Sequence, residues 1–176
     1  FLWQVVAFSC HMELIKRREF KVASYKTMHD HHHHFGWDNS LEPILTVEPG
    51  EHIELHTIDS GGGQLTEHST AADVANIDFG KVNPVNGPIY IEGAEPGDAV
   101  EIEILDFDQS GWGWTGIIPG FGLLADEFQE PFMNISRYDE RRVEFQPGIH
   151  LPTRPFPGTI GLALSEPGVH SVVPPR

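Results

Sequence analysis

Two stretches of the chain alternate apolar and polar residues with period two, each directly after the same turn. Glu48-Pro49-Gly50-Glu51 leads into His52-Ile53-Glu54-Leu55-His56-Thr57-Ile58-Asp59, and Glu95-Pro96-Gly97-Asp98 leads into Ala99-Val100-Glu101-Ile102-Glu103-Ile104-Leu105-Asp106. Proline at the second and glycine at the third position is the type II β-turn signature, because proline presets φ near −65° and glycine accepts a positive φ. The alternation predicts a strand in each copy, with Ile53, Leu55 and Thr57, or Val100, Ile102 and Ile104, on a buried face. His52, Glu54 and His56, or Glu101 and Glu103, then face water. A third Glu166-Pro167-Gly168 precedes Val169-His170-Ser171-Val172-Val173, a shorter copy of the same device. The pattern predicts a mainly β fold, a β-sandwich or jelly-roll-like arrangement with long loops and at most short helices.

Between the two strong copies, Gly61-Gly62-Gly63-Gln64 and residues 65–76 read as a long loop with room for one short helix. Further on, Gly111-Trp112-Gly113-Trp114 and Pro119-Gly120-Phe121-Gly122 form an aromatic, glycine-rich stretch before a helical turn expected in residues 123–128. Eighteen glycines and fourteen prolines in 176 residues agree with many short strands joined by tight turns.

Composition narrows the partners. Eleven Lys and Arg against 26 Asp and Glu give a formal charge of −15, which disfavours nucleic acid and leaves a small neutral substrate or a metal cation unopposed. No stretch approaches the ~18 apolar residues that would span a membrane. The only cysteine is Cys10, so no intrachain disulfide can form, and a reducing, cytoplasmic setting is the simplest expectation. The first ten residues are apolar but lack a starting Met and a basic flank, whereas Met12 opens a plausible reading frame. Residues 1–11 are accordingly read as a processing remnant or upstream translated sequence, outside a single domain of residues 12–176.

Several residue types could carry chemistry. In His29-Asp30-His31-His32-His33-His34 alternate side chains of an extended segment share a side, so His32 and His34 could converge on an ion; a solvated polar edge is the alternative. His52 and His56 share a face four residues apart, too far for joint ligation on a regular strand. Asp59 ends a strand beside Gly61-Gly62-Gly63, where a backbone can approach a ligand closely, so it reads either as a metal ligand or base, or as an Asx-turn closing the strand. Asp106 occupies the equivalent place without the glycine run. No G-x-S-x-G, P-loop or H-E-x-x-H is present.

In order along the chain, several further motifs recur together. They are Trp37-Asp38-Asn39-Ser40, Thr46-Val47-Glu48-Pro49-Gly50, Asp59 with Gly62-Gly63-Gln64, Asn86-Gly87-Pro88-Ile89-Tyr90-Ile91-Glu92-Gly93-Ala94-Glu95-Pro96-Gly97-Asp98, Pro119-Gly120-Phe121-Gly122-Leu123-Leu124, Pro155-Phe156-Pro157-Gly158-Thr159-Ile160-Gly161 and Pro174-Pro175-Arg176. Over residues 29–176 this resembles the acetamidase/formamidase family. The resemblance implies a β-rich fold and hydrolysis of a small linear amide, formamide or acetamide, to the carboxylate and ammonia with a water activated by a bound divalent metal, zinc by expectation. It implies His34 and Asp59 as metal ligands and catalytic groups, with His32 as the further ligand that the spacing of the His run offers, and Trp37, Gly62, Gly63, Pro119 and Gly120 around the substrate. Members of the family continue past Pro-Pro-Arg into a Gly-Gly-Asn segment, so the chain looks like an N-terminal portion, expected to form a homo-oligomer or to associate with a C-terminal piece. Two other readings stand beside this one. A non-catalytic β-sandwich module could bind a carbohydrate or protein on Trp112 and Trp114, and a plain metal-binding domain could use the His run.

Overall fold

A computed structural model describes residues 2–6 and 25–172. Cys10, Met12 and Pro174-Pro175-Arg176, each singled out in the sequence, lie outside the described residues. The fold is mainly β, with one five-residue helix and a 3-10 turn among the described residues.

The centre is β6 (Pro84–Ile91), eight residues of which the first six are buried. Such a continuous run belongs to a strand covered on both faces, not to the alternating kind. Along one edge β6 pairs first with β3 (His33–Phe35), antiparallel, and then with β4 (Leu45–Val47), parallel. Its other edge takes β1 (Leu2–Val6), which in turn pairs with β11 (Thr159–Leu162). The segment set aside in the sequence thus supplies the strand that joins β6 to β11. A register shift in β1 falls between Trp3 and Val5, opposite Ile89 and Asn86, so the ladder breaks where Pro88 has no N–H to give.

A short parallel pair, β2 (Lys26–Met28) with β5 (Ile53–Leu55), covers this sheet. Met28, Val47 and Ile89 form the buried core between them, and Ile53, Leu55, Leu45, Ile160 and Leu162 pack around it. An antiparallel meander follows: β7 (Trp112–Ile117), β8 (Phe132–Tyr138), β9 (Arg142–Gln146) and β10 (Ile149–Pro152). Helix α1 (Ala71–Ala75), the short helix expected in the long loop, packs Val74 with Leu65 and Ile77 against Trp114 and Met133 of the meander. Residues 123–128 close one helical turn, with Phe128 N–H donating to the Leu124 carbonyl at 3.0 Å.

The repeated turn is real in both strong copies. Gly50 and Gly97 have φ of +85° and +105°, and Glu51 N–H and Asp98 N–H donate back to the Glu48 and Glu95 carbonyls at 3.1 Å in each case. The acid that closes each turn also accepts from the first residue's N–H, Glu51 from Glu48 at 2.9 Å and Asp98 from Glu95 at 2.8 Å. The strands after them differ. The first copy forms β5, but residues 99–110 form no strand, and Ile102 and Ile104 are 45% and 46% exposed. Alternation defines a face without guaranteeing a neighbouring strand, and the second copy has none. The third copy is reduced to one bridge, Trp37 with His170.

Candidate functional site

The His-rich segment enters the sheet as a turn followed by β3. His32 N–H donates to the His29 carbonyl at 3.0 Å and His33 Nδ1 contacts the Asp30 carbonyl at 2.7 Å, closing the turn. His32 remains in that turn with its ring 4.1 Å from that of His31. His34, opposite Val85 of β6, is partly buried, and its Nε2 is buried without a partner. Burial pushes its pKa below the ordinary histidine value, outweighing the opposing pull of the Asp38 carboxylate and the Gly87 backbone. A neutral imidazole with an unpartnered nitrogen can accept a proton or bind a metal. Asp38 is held below the usual carboxylate range, first by the Ser40 hydroxyl and N–H, and then in smaller part by the charges of His34 and His170.

Asp59 is held by its own loop and by Trp114 of β7. Oδ2 accepts from Gly61 N–H at 3.2 Å and from Trp114 Nε1 at 2.7 Å, Oδ1 accepts from Gly63 N–H at 2.8 Å, and its carbonyl accepts from Gly62 N–H at 2.9 Å. All three glycine N–H groups are therefore spent within the loop, as in the Asx-turn alternative. Gln64 completes the knot, donating to the Gly61 and Asp78 carbonyls at 2.8 and 3.1 Å and accepting from Asp78 N–H at 2.8 Å. The close backbone approach that the glycines permit is to protein, since a Cβ on Gly62 would lie 1.9 Å from the Lys81 carbonyl oxygen.

The residues expected around a substrate do not line a common pocket. Trp37 is buried with Val85 and Val172, and its backbone bridges His170. Pro119 and Gly120 form an exposed turn after β7, closed by Phe121 N–H on the Ile118 carbonyl at 3.1 Å. An open cleft of about 280 Å³ is lined by Phe35, Gly36, Phe79, Asn83, Val169 and His170 among others, and by none of the five expected pocket residues. Trp114 faces the α1 core and Asp59, so it is not presented as a flat aromatic platform.

One buried polar residue escaped the sequence reading. Asn86, 1% exposed, donates through Nδ2 to the His56 carbonyl at 3.1 Å and the His32 carbonyl at 3.4 Å, tying β6 to both the His turn and the end of β5. Its Oδ1 is buried without a partner. The available signal was an asparagine inside the otherwise apolar run Pro84-Val85-Asn86-Gly87-Pro88-Ile89. Among the described residues no three His, Cys, Asp or Glu side chains are grouped to hold a metal ion. His32, His34 and Asp59 are thus not gathered into one metal site, because Asp59 is committed to its loop and His32 to its turn.

A sequence profile described as the Acetamidase/Formamidase family matches residues 21–171. A formamidase of Methylophilus methylotrophus is 32% identical over 149 residues, 81% of this chain and 35% of that protein. An acetamidase of Mycolicibacterium smegmatis is 28% identical over 170 residues, 88% of this chain and 40% of that protein. Among solved structures, an acetamidase from Bacillus halodurans superposes with a TM-score of 0.65 at 31% identity, covering 72% of this chain and 42% of the other. A gamma lactamase from Delftia acidovorans gives a TM-score of 0.59 at 28% identity, covering 70% and 32%. The chain thus spans well under half the length of the relatives it matches.

Proposed function

Because the chain belongs to the acetamidase/formamidase family, we propose that it forms part of a catalytic unit that hydrolyses small linear amides, such as formamide or acetamide, to the carboxylate and ammonia. The match across residues 21–171 carries this reading, and the site adds His34, a partly buried imidazole whose Nε2 has no partner. In this reading neutral His34 takes a proton from the attacking water as the C–O bond forms. That proton passes to the amide nitrogen as the C–N bond breaks, so amide and water leave as acid and ammonia. Asp59 acts by positioning, since its oxygens already receive three N–H groups.

A divalent metal, zinc by expectation, finds one open donor in His34 Nε2 and no gathered set, so any further ligands would come from outside the described residues. Exposed Phe121, Leu123, Leu124, Phe128 and Phe156 suit a surface covered by a completing polypeptide or a second copy. A cytoplasmic setting accords with the lone cysteine, and no helix among the described residues is long and apolar enough to cross a membrane.

Ammonia release from formamide and acetamide tests the proposal. It is measured with the 176-residue chain alone and mixed with a polypeptide matching the relatives' remaining length. Release in the mixture, reduced about a hundredfold or more by His34→Ala, is the expected result. No ammonia from either preparation overturns it.

A further inference from the structure

The parallel register of β2 and β5 pairs Lys26 with Ile53, Thr27 with Glu54 and Met28 with Leu55. One step further it sets His29 beside His56, and His56 N–H donating to the Met28 carbonyl at 2.8 Å locks that step. In paired strands residues i and i+2 share a face, so Thr27, His29, Glu54 and His56 lie together while Met28 enters the core on the other side. The side chains confirm the shared face. His29 Nδ1 and His56 Nδ1 are 3.2 Å apart, His56 Nε2 is 3.0 Å from Glu54 Oε1, and Thr27 Oγ1 donates to Glu54 Oε2 at 3.3 Å.

From this juxtaposition we propose a second, separate site: His29 and His56 bind a borderline divalent transition-metal ion such as Zn²⁺ or Cu²⁺ through their Nδ1 atoms, with Glu54 orienting His56. Glu54 accepts the Nε2 proton of His56, which fixes the tautomer and turns the Nδ1 lone pair toward His29. When His29 carries its proton on Nε2, its own Nδ1 presents a second lone pair to the same point. Two imidazole nitrogens, each about 2.0–2.1 Å from a tetrahedral zinc, lie about 3.3 Å apart, close to the separation already present before any ion binds. The carboxylate–histidine arrangement is the usual outer support of a metal-binding imidazole. His29 is exposed and opens the pair to solvent, where water would complete the coordination, and the net charge of −15 favours a cation's approach.

This site does not depend on the amidase reading. It shares no residue with His32, His34 or Asp59, and its test reads metal binding, not turnover.

The test is titration of the metal-free 176-residue chain with Zn²⁺ by calorimetry and with Cu²⁺ by electron paramagnetic resonance. Wild-type chain should bind one ion, with two nitrogen couplings on Cu²⁺. His29→Ala and His56→Ala should each weaken binding at least thirtyfold, and Glu54→Gln roughly ten- to a hundredfold. A variant with His31 and His33 both changed to Ala should keep wild-type affinity. His29 is exposed, so His29→Ala keeps the question answerable if His56→Ala fails to fold. Zn²⁺ should raise the thermal midpoint of the wild type but not of His29→Ala. The proposal is overturned if wild-type chain binds neither ion. It is equally overturned if binding survives His29→Ala and is lost in the His31/His33 double variant, which would place the ion on the flanking His run.

Discussion

Gly62 and Gly63 offer a matched pair for testing what the glycine run is for. Both have a left-handed backbone, with φ of +68° and +72°. Alanine at either position therefore meets the same conformational penalty, about 1–2 kcal/mol. Their surroundings differ. A Cβ at Gly63 would meet Ile58 Cγ2 at an ordinary 3.5 Å, whereas one at Gly62 would sit 1.9 Å from the Lys81 carbonyl oxygen. Relieving that overlap to even 3.0 Å requires backbone to move by 3.0 − 1.9 = 1.1 Å. The two segments cannot part freely, because Asn83 N–H holds the Ser60 carbonyl at 2.8 Å and Gln64 holds both Gly61 and Asp78. Forcing atoms into a packed contact costs about 1–3 kcal/mol. Gly62→Ala should thus destabilise by roughly 2–5 kcal/mol and Gly63→Ala by roughly 1–2 kcal/mol. Urea unfolding followed by tryptophan fluorescence measures both, with a shifted midpoint and an unchanged slope. Equal losses, within about 0.5 kcal/mol, would refute the claim that the loop is built for contact with the Lys81 backbone.

Trp114→Phe keeps an aromatic ring against the α1 core but shortens it and removes the Nε1 donor from Asp59, so it should cost about 2–3 kcal/mol and speed amide exchange at Gly61 and Gly63. Unchanged exchange there would show that the bond does not hold the loop. Asp59→Ala should destabilise by about 2–3 kcal/mol in urea unfolding, because several N–H groups lose their acceptor, while Asp106→Ala, which removes one local bond to Phe107, should stay within about 0.5 kcal/mol. For His34, whose pKa lies lower in the folded chain than in the unfolded one, the unfolded chain takes up the proton first as pH falls. Stability tied to this group is therefore flat above about pH 6.5 and declines below it until the lower folded value is passed. Comparing unfolding free energies from pH 8 to 5 for wild type and His34→Gln isolates this slope, and identical profiles would contradict it. Leu123, whose side chain is fully exposed, should tolerate Leu123→Ser without loss of stability while self-association in sedimentation decreases; unaltered association would remove this residue from any covered surface.

The sequence made the local devices legible and left the partners hidden. A turn is encoded within four residues, so Glu48-Pro49-Gly50-Glu51 and Glu95-Pro96-Gly97-Asp98 could be read directly, down to the positive φ at each glycine. A strand also needs a neighbour, and nothing inside residues 99–106 says whether one exists. The same alternation that became β5 against β2 therefore remained irregular in the second copy, with Ile102 and Ile104 half exposed. The central strand was missed for the opposite reason. Pro84 and Pro88 argue against a strand interior, yet β6 accommodates them through the register shift in β1 and a change of partner from β3 to β4.

The candidate site follows the same logic. The contrast between Asp59 and Asp106 is local, since only Asp59 stands beside a glycine run, and in the structure the N–H groups of that run close on Asp59 itself. The direction in which the Asp59 oxygens point depends on Trp114, 55 residues away, and the partnership of His29 with His56 depends on a parallel register across 27 residues. Both are long-range facts about which strand lies beside which. His56 shows how far such a fact changes a reading. Judged along its own strand it stood too far from His52 to share an ion, but across the sheet it faces His29 at 3.2 Å with Glu54 behind it. In a β protein, the search for metal-binding side chains therefore has to run across the ladder as well as along the chain.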